Sequence, residues 1–239
     1  MKHIVKKPAE PEDFVSWRSS QQTTIDRKLV EGASGDTLWE ILPSSLPRPE
    51  TDVKIPVLYS KSKLRRTLLE EQGYICCYCN RALEDKHNTI IEHFNPKGLE
   101  IFRHQTFDYY NLFACCDGGE RDKTKPRETY CTLFKGRKNP VDPIPIISPL
   151  NPACENLFEY GEQGAVNSVV KEANYTIDFL NLNAKSLKLQ RSAAINTYIY
   201  EILSDDVDTT TELERLRTKV NGKFEPFCIA VYSVLKNYP

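Results

Sequence analysis

The sequence lacks a charge excess. Its 239 residues carry 32 Lys and Arg against 33 Asp and Glu, a formal net charge of −1. A protein that coats nucleic acid wants a strong positive excess, so that role is excluded, and any nucleic-acid contact must use a local basic patch. The sequence also lacks a long hydrophobic run. No stretch approaches the roughly 20 apolar residues that a membrane helix needs. The opening Met1-Lys2-His3-Ile4-Val5-Lys6-Lys7 has no apolar core of a secretory signal and runs into Pro8 and Pro11. A cytoplasmic protein with no membrane association is the expectation. Internal repeats and low-complexity tracts are missing too, which excludes a solenoid. What is present is an ordinary globular composition, 40% hydrophobic and 27% charged, with enough apolar material for a core.

Eight cysteines stand out against that background. A reducing compartment disfavours disulfides, so the cysteines read as metal ligands or buried thiols. Six of them fall between positions 76 and 131. The first group, Cys76-Cys77-Tyr78-Cys79, holds a Cys-x2-Cys pair, the spacing of a knuckle turn that aims two thiolates at one ion. The second group is Cys115-Cys116, followed by Cys131. A tetrahedral zinc needs four ligands, and Cys76, Cys79, Cys116 and Cys131 are the expected set. Spacing alone does not choose Cys116 over Cys115. A redox protein is the competing use of paired cysteines, but no thioredoxin-like βαβ pattern surrounds them.

Between the two groups lies Ile90-Ile91-Glu92-His93-Phe94-Asn95-Pro96-Lys97, an apolar strand ending in an acid and a histidine. Asp108-Tyr109-Tyr110-Asn111-Leu112-Phe113-Ala114 follows. These residue types suit phosphodiester hydrolysis. Glu92 is a hard oxygen ligand for Mg²⁺ or Mn²⁺. His93, with an ordinary pKa of about 6.5, can take a proton from an attacking water. Asn111 can hydrogen-bond across the loop and hold the segment that presents His93. His87 and His104 have no such frame and read as surface residues. Arg121 to Lys138 holds seven basic residues and two acidic ones. Lys97, Arg121, Lys123, Lys125 and Lys135 are therefore candidate phosphate contacts.

The coarse organisation is α+β in three parts. Residues 1–59 read as an irregular, proline-punctuated segment with one helix from about Phe14 to Gly32. Residues 60–140 open with a helix from Ser60 to Gln72, closed by Gly73, and continue as short strands and loops around a metal. Residues 141–239 read as one hairpin around Gly161 and Gly164, then helices near 184–202, 211–220 and 226–235.

The pattern resembles the HNH endonuclease superfamily. Its order of Cys-x2-Cys, acid-His with a following Pro, then Asn-Leu and further cysteines is matched by Cys76 to Cys79, Glu92 to Pro96, and Asn111-Leu112. It looks closest to the nucleases of retrons and Septu-type anti-phage systems (PtuB-like), with His93 to Lys97, Asn111 with Cys116, and Cys131 with Lys135-Gly136 in register. That register favours Cys116 over Cys115. The resemblance implies a ββα-metal core, structural Zn²⁺, a catalytic Mg²⁺ or Mn²⁺, and a toxic effector. It implies an ABC/SMC-like ATPase partner (PtuA-like) and, in retrons, restraint by a reverse transcriptase and its DNA–RNA product, the msDNA. One position departs. Thr132 stands where the family carries a His, Asn or Asp that completes the catalytic ion's ligands. A zinc-stabilised nucleic-acid-binding or adaptor protein with a decayed site is the alternative that this departure leaves open.

Overall fold

A computed structural model describes residues 1–45, 59–85, 88–119, 128–204 and 208–238, apart from 138–145. Arg121, Lys123, Lys125 and His87 lie outside the described residues. So does the expected boundary near 140. The chain falls into two compact units, one of residues 6–68 and 91–113, the other of residues 1–5, 69–90 and 114–239.

The smaller unit begins with α1 (Glu12–Ser20) and α2 (Gln22–Val30), where the sequence suggests one helix. The break at Gln21 has a local cause. Ser19 to Thr24 is a run of six polar residues, and the Ser20 hydroxyl donates to the Trp17 carbonyl at 2.7 Å. Such side chains compete with the helix for its own carbonyls. A short helix α3 (Gly35–Trp39) follows, capped by Ser34, whose hydroxyl accepts from the Thr37 N–H at 3.2 Å. The core of this unit is aromatic. Phe14 packs on Trp17, Tyr59 and Tyr109 with centroids 5.9, 5.3 and 6.1 Å apart, and Trp17 meets Phe107 edge-on at 5.2 Å. Lys6 is buried among them. Its ammonium sits 3.9 Å from the Tyr109 centroid and donates to the Leu112 carbonyl at 2.7 Å, so the charge stays solvated by π density and a carbonyl.

Helix α4 (Lys61–Gln72), strand β1 (Thr89–His93) and strand β2 (Leu112–Cys116) each pass from one unit to the other along the chain; β1 and β2 pair in a two-stranded sheet. Helix α4 ends as expected at Gly73 (φ +64°). Gly73 N–H bonds the Glu70 carbonyl and Tyr74 N–H bonds the Leu69 carbonyl, the paired closure of a Schellman motif.

The larger unit holds α5 (Cys131–Arg137), the antiparallel hairpin of β3 (Glu159–Tyr160) and β4 (Val166–Asn167), and helices α6 (Lys171–Phe179), α7 (Lys185–Leu203), α8 (Thr209–Arg217) and α9 (Cys228–Leu235). Helix α9, CIAVYSVL, is apolar nearly all round and buried, and α7, α8 and β3 pack against it. The hairpin is locked onto α7 by a buried arginine. Arg191 donates to the carbonyls of Gly164 (2.5 Å) and Leu182 (2.7 Å). Gly164 has φ +74°, and a Cβ there would lie 2.1 Å from the Lys188 carbonyl oxygen. Gly164→Ala is thus expected to cost at least about 2 kcal/mol, from left-handed strain plus overpacking. A denaturant midpoint unchanged from wild type would contradict that contact.

Candidate metal and hydrolytic sites

The cysteine site is built by three local devices, all in the larger unit. The first is a turn. Residues 75–82 form a small bridge-closed loop, with Cys76 N–H on the Arg81 carbonyl (2.9 Å) and Asn80 N–H on the Cys76 carbonyl (3.1 Å). Asn80 takes φ +59°, which asparagine tolerates better than most residues. The second device is Gln72. Its side-chain oxygen accepts from the Ala114 N–H at 2.8 Å, and its amide donates to the carbonyls of Ala114 (2.8 Å) and Ile75 (3.0 Å). One buried amide therefore ties the end of α4 to both cysteine-bearing segments. The third is the 180–183 segment. Leu180 carbonyl accepts from Cys131 N–H at 2.8 Å, and Asn181 donates to the Thr129 carbonyl at 2.8 Å.

The result is a buried cluster of sulfurs. The Sγ atoms of Cys76, Cys115, Cys116 and Cys131 all lie within 4.8 Å of one another, the one such metal-competent group among the described residues. Cys79 is beside it, its sulfur 3.9 Å from that of Cys116. A tetrahedral zinc with Zn–S bonds of about 2.3 Å needs sulfurs about 3.8 Å apart, so the donor set fits the ion. The Cys116 N–H also points at the Cys76 sulfur, 3.4 Å away. Burial alone would push the Cys76 thiol up. Hydrogen bonds from Cys115, Cys116, Cys131 and Cys77 outweigh it and hold Cys76 well below the ordinary thiol range. Burial first of all drives Cys79, Cys115 and Cys131 well above it, and contact with Cys115 first of all drives Cys116 the same way. Zinc is held by thiolates, so any thiol protons of the cluster must leave when the ion binds. Metal binding therefore competes with protons and weakens in acid.

Two cations stand against this site. Arg81 donates to the Tyr130 hydroxyl at 3.0 Å and approaches Asp117 at 3.7 Å. Lys135 is buried, with its ammonium 3.5 Å from the Tyr78 hydroxyl. Buried against the knuckle, Lys135 does not present its charge at the surface, where the sequence suggests a phosphate contact.

The acid–histidine pair lies in the smaller unit. Strand β1 delivers Glu92 and His93, both buried at 6% and 7% exposure. His93 Nε2 lies 3.1 Å from the Thr106 carbonyl oxygen. A carbonyl can only accept, so Nε2 carries the proton in the neutral ring and Nδ1 carries the lone pair. Asn111 is buried and bonds three ways. Its Oδ1 accepts from Asn95 N–H at 2.7 Å, and its amide donates to the carbonyls of Asn95 (3.1 Å) and Gln105 (3.3 Å). It closes the 95–105 loop on both sides. Lys97 is ion-paired with Asp36 and lines a cleft of about 330 Å³ with Gly32, Gly35, Gly98 and Arg103. Thr132 lies on α5. Sequence reasoning missed Gln72, Thr106 and Trp39, because none stands in a spacing pattern with the residues it holds.

Short strands, helices and a cysteine cluster able to take a metal define a mixed α/β protein compatible with a zinc-stabilised HNH-like core. No family model matches the chain. The chain is similar to a protein of Vibrio cholerae serotype O1 biovar El Tor named as a candidate HNH endonuclease of retron Vc95, at 28% identity over 148 residues, covering 59% of this chain and 67% of that protein. No helix among the described residues is long and apolar enough to cross a membrane.

Proposed function

We propose that the protein is a metal-dependent HNH endonuclease that hydrolyses phosphodiester bonds in DNA or RNA, and that residues 60–140 carry the chemistry. The observation that carries the reading is the buried His93 beside Glu92, with its Nε2 3.1 Å from the Thr106 carbonyl oxygen. With Nε2–H engaged by the Thr106 carbonyl, Nδ1 is the nitrogen that accepts the proton of an attacking water. Glu92 supplies an oxygen ligand to Mg²⁺ or Mn²⁺, an ion that would stabilise charge on the phosphate and its leaving oxygen. Asn111 positions the loop that presents the base. Lys97, Arg121, Lys123 and Lys125 remain the proposed phosphate contacts. Lys97 would first have to leave Asp36.

Structural zinc is assigned to Cys76, Cys79, Cys116 and Cys131. The sulfurs of Cys76, Cys116 and Cys131 cluster with that of Cys115, while Cys79 stands 3.9 Å from Cys116, so the choice of Cys79 as the fourth ligand rests on the Cys-x2-Cys knuckle spacing. Cys79→Ser is expected to release zinc and Cys115→Ser to retain it, each read by metal content per chain. The reverse result would move the fourth ligand to Cys115.

In the cell the protein would act in the cytoplasm as a toxic effector of a retron or Septu-type defence system, with an ABC/SMC-like ATPase and, in a retron, a reverse transcriptase and msDNA. A chain of net charge −1 has little grip of its own on nucleic acid, and such a partner would supply it. The test is expression in a bacterial host with and without the neighbouring ATPase, beside a His93→Ala control. Toxicity that needs His93 supports the effector reading. Equal growth of all strains contradicts it. Thr132 favours one second reading, a zinc-stabilised binding or adaptor protein, marked by nucleic-acid binding without cleavage.

A further inference from the structure

Helix α3 is five residues long, far too short to persist on its own. It is held by contacts with the loop that follows His93. A Cβ on Gly35 would lie 2.1 Å from the Lys97 carbonyl oxygen and 2.9 Å from the Lys97 Cβ, so only glycine permits the approach. Asp36 is ion-paired with Lys97. Leu38 is buried. At the end of the helix, the Trp39 ring meets the His93 imidazole at a centroid distance of 4.6 Å and an interplanar angle of 83°. Trp39 is itself backed by Phe107, stacked at 5.8 Å and 27°, and by the Lys61 ammonium 5.4 Å from its centroid. Lys61 is in turn paired with Glu40 at 3.1 Å.

We infer that Trp39 is a positioning residue for His93 and that α3, far upstream of the acid–histidine motif, belongs to the hydrolytic site. The inference rests on the proposed role of His93 as the base. The Nε2–H bond to the Thr106 carbonyl holds one atom of the imidazole, and the Trp39 ring, set at 83° to it, bears on the orientation of the ring as a whole. A half-turn of the ring would put Cε1 where Nε2 donates and Cδ2 where Nδ1 must accept a proton. The perpendicular Trp39 ring stands against that turn, and Phe107 keeps Trp39 from yielding. The close Gly35–Lys97 approach fixes the helix to the loop only four residues beyond His93. A general base works only within a narrow geometry, and a displacement of about 1 Å costs on the order of 10²-fold in rate.

The test compares full-length wild type, Trp39→Leu and Trp39→Phe on whichever nucleic acid the wild type cleaves. Zinc content and thermal midpoint are measured beside kcat and KM. The ¹⁵N signals of the His93 imidazole are recorded for all three proteins. Trp39→Leu is expected to lower kcat by about 10²-fold with KM within about 3-fold. Trp39→Phe, which keeps an aromatic wall, is expected to recover most of the rate. The wild-type imidazole should show protonation at Nε2 and a lone pair at Nδ1, and Trp39→Leu should show a mixture. A leucine variant with wild-type kcat and unchanged imidazole signals would overturn the inference. So would a loss of rate that tracks loss of zinc and thermal midpoint, because Trp39 would then be core packing alone. A wild type that cleaves nothing with any metal would retire the nuclease reading instead; the imidazole spectra would still decide whether Trp39 fixes the tautomer.

Discussion

His93→Ala is expected to lower cleavage by about 10²- to 10⁴-fold, the range that a positioned general base contributes. The affinity for uncleaved nucleic acid should change little, because the imidazole is buried and its one assigned donor is spent on the Thr106 carbonyl. Alanine also leaves that carbonyl unpaired and a cavity beside Trp39, which costs about 1–3 kcal/mol of stability. His93→Gln separates the two effects. Its side-chain amide can still donate to Thr106, while it has no basic nitrogen. Both variants should therefore be inactive, with Gln the more stable of the two. A glutamine variant that cleaves at the wild-type rate would remove His93 from the chemistry.

The second large effect concerns the cysteine cluster. Cys76→Ser, or removal of zinc by a strong chelator, is expected to destabilise the larger unit by at least about 3 kcal/mol, since the free energy of structural zinc binding is folding free energy. For a chain of this size that is a fall of roughly 10 °C in thermal midpoint. The argument is local. Cys76 has every other sulfur of the site as a neighbour, and its thiol is the one held well below the ordinary range. Without the ion, the thiols remain buried and the bonds that join the three cysteine-bearing segments are lost. Chelation that strips the metal and leaves the midpoint unchanged would show that the sulfurs pack as ordinary buried thiols.

Much of this was legible in the sequence where the chemistry is local in the chain. The knuckle spacing of Cys76 and Cys79, the pair Glu92-His93 and the helix stop at Gly73 are all encoded within a few residues. Asn111 was legible as a loop fastener because a buried amide inside an apolar run must find partners, and it finds Asn95 and Gln105. What was not legible depends on contacts between distant segments. Gln72 looks like an ordinary polar residue at a helix end until its amide is seen against Ala114. Trp39 sits in Leu38-Trp39-Glu40-Ile41-Leu42, an apolar segment between glycine- and proline-bearing stretches that is too short to show a period. The two-helix start, α1 and α2, was hidden because six consecutive polar residues have no apolar face to betray a break. The choice among Cys79, Cys115 and Cys116 stays close for a physical reason: five sulfurs crowd a site that needs four.

The account stands on cleavage that needs both a divalent ion and His93. The direct measurement is incubation of the purified protein, its zinc content measured, with plasmid DNA and with total tRNA, with and without the proposed ATPase partner, in Mg²⁺, Mn²⁺ or chelator, beside His93→Gln. Strand cleavage in Mg²⁺ or Mn²⁺ that disappears in chelator and in the glutamine variant is the predicted result. Cleavage that survives in the variant, or a folded, zinc-bound wild type that cuts neither substrate under any condition, would contradict it.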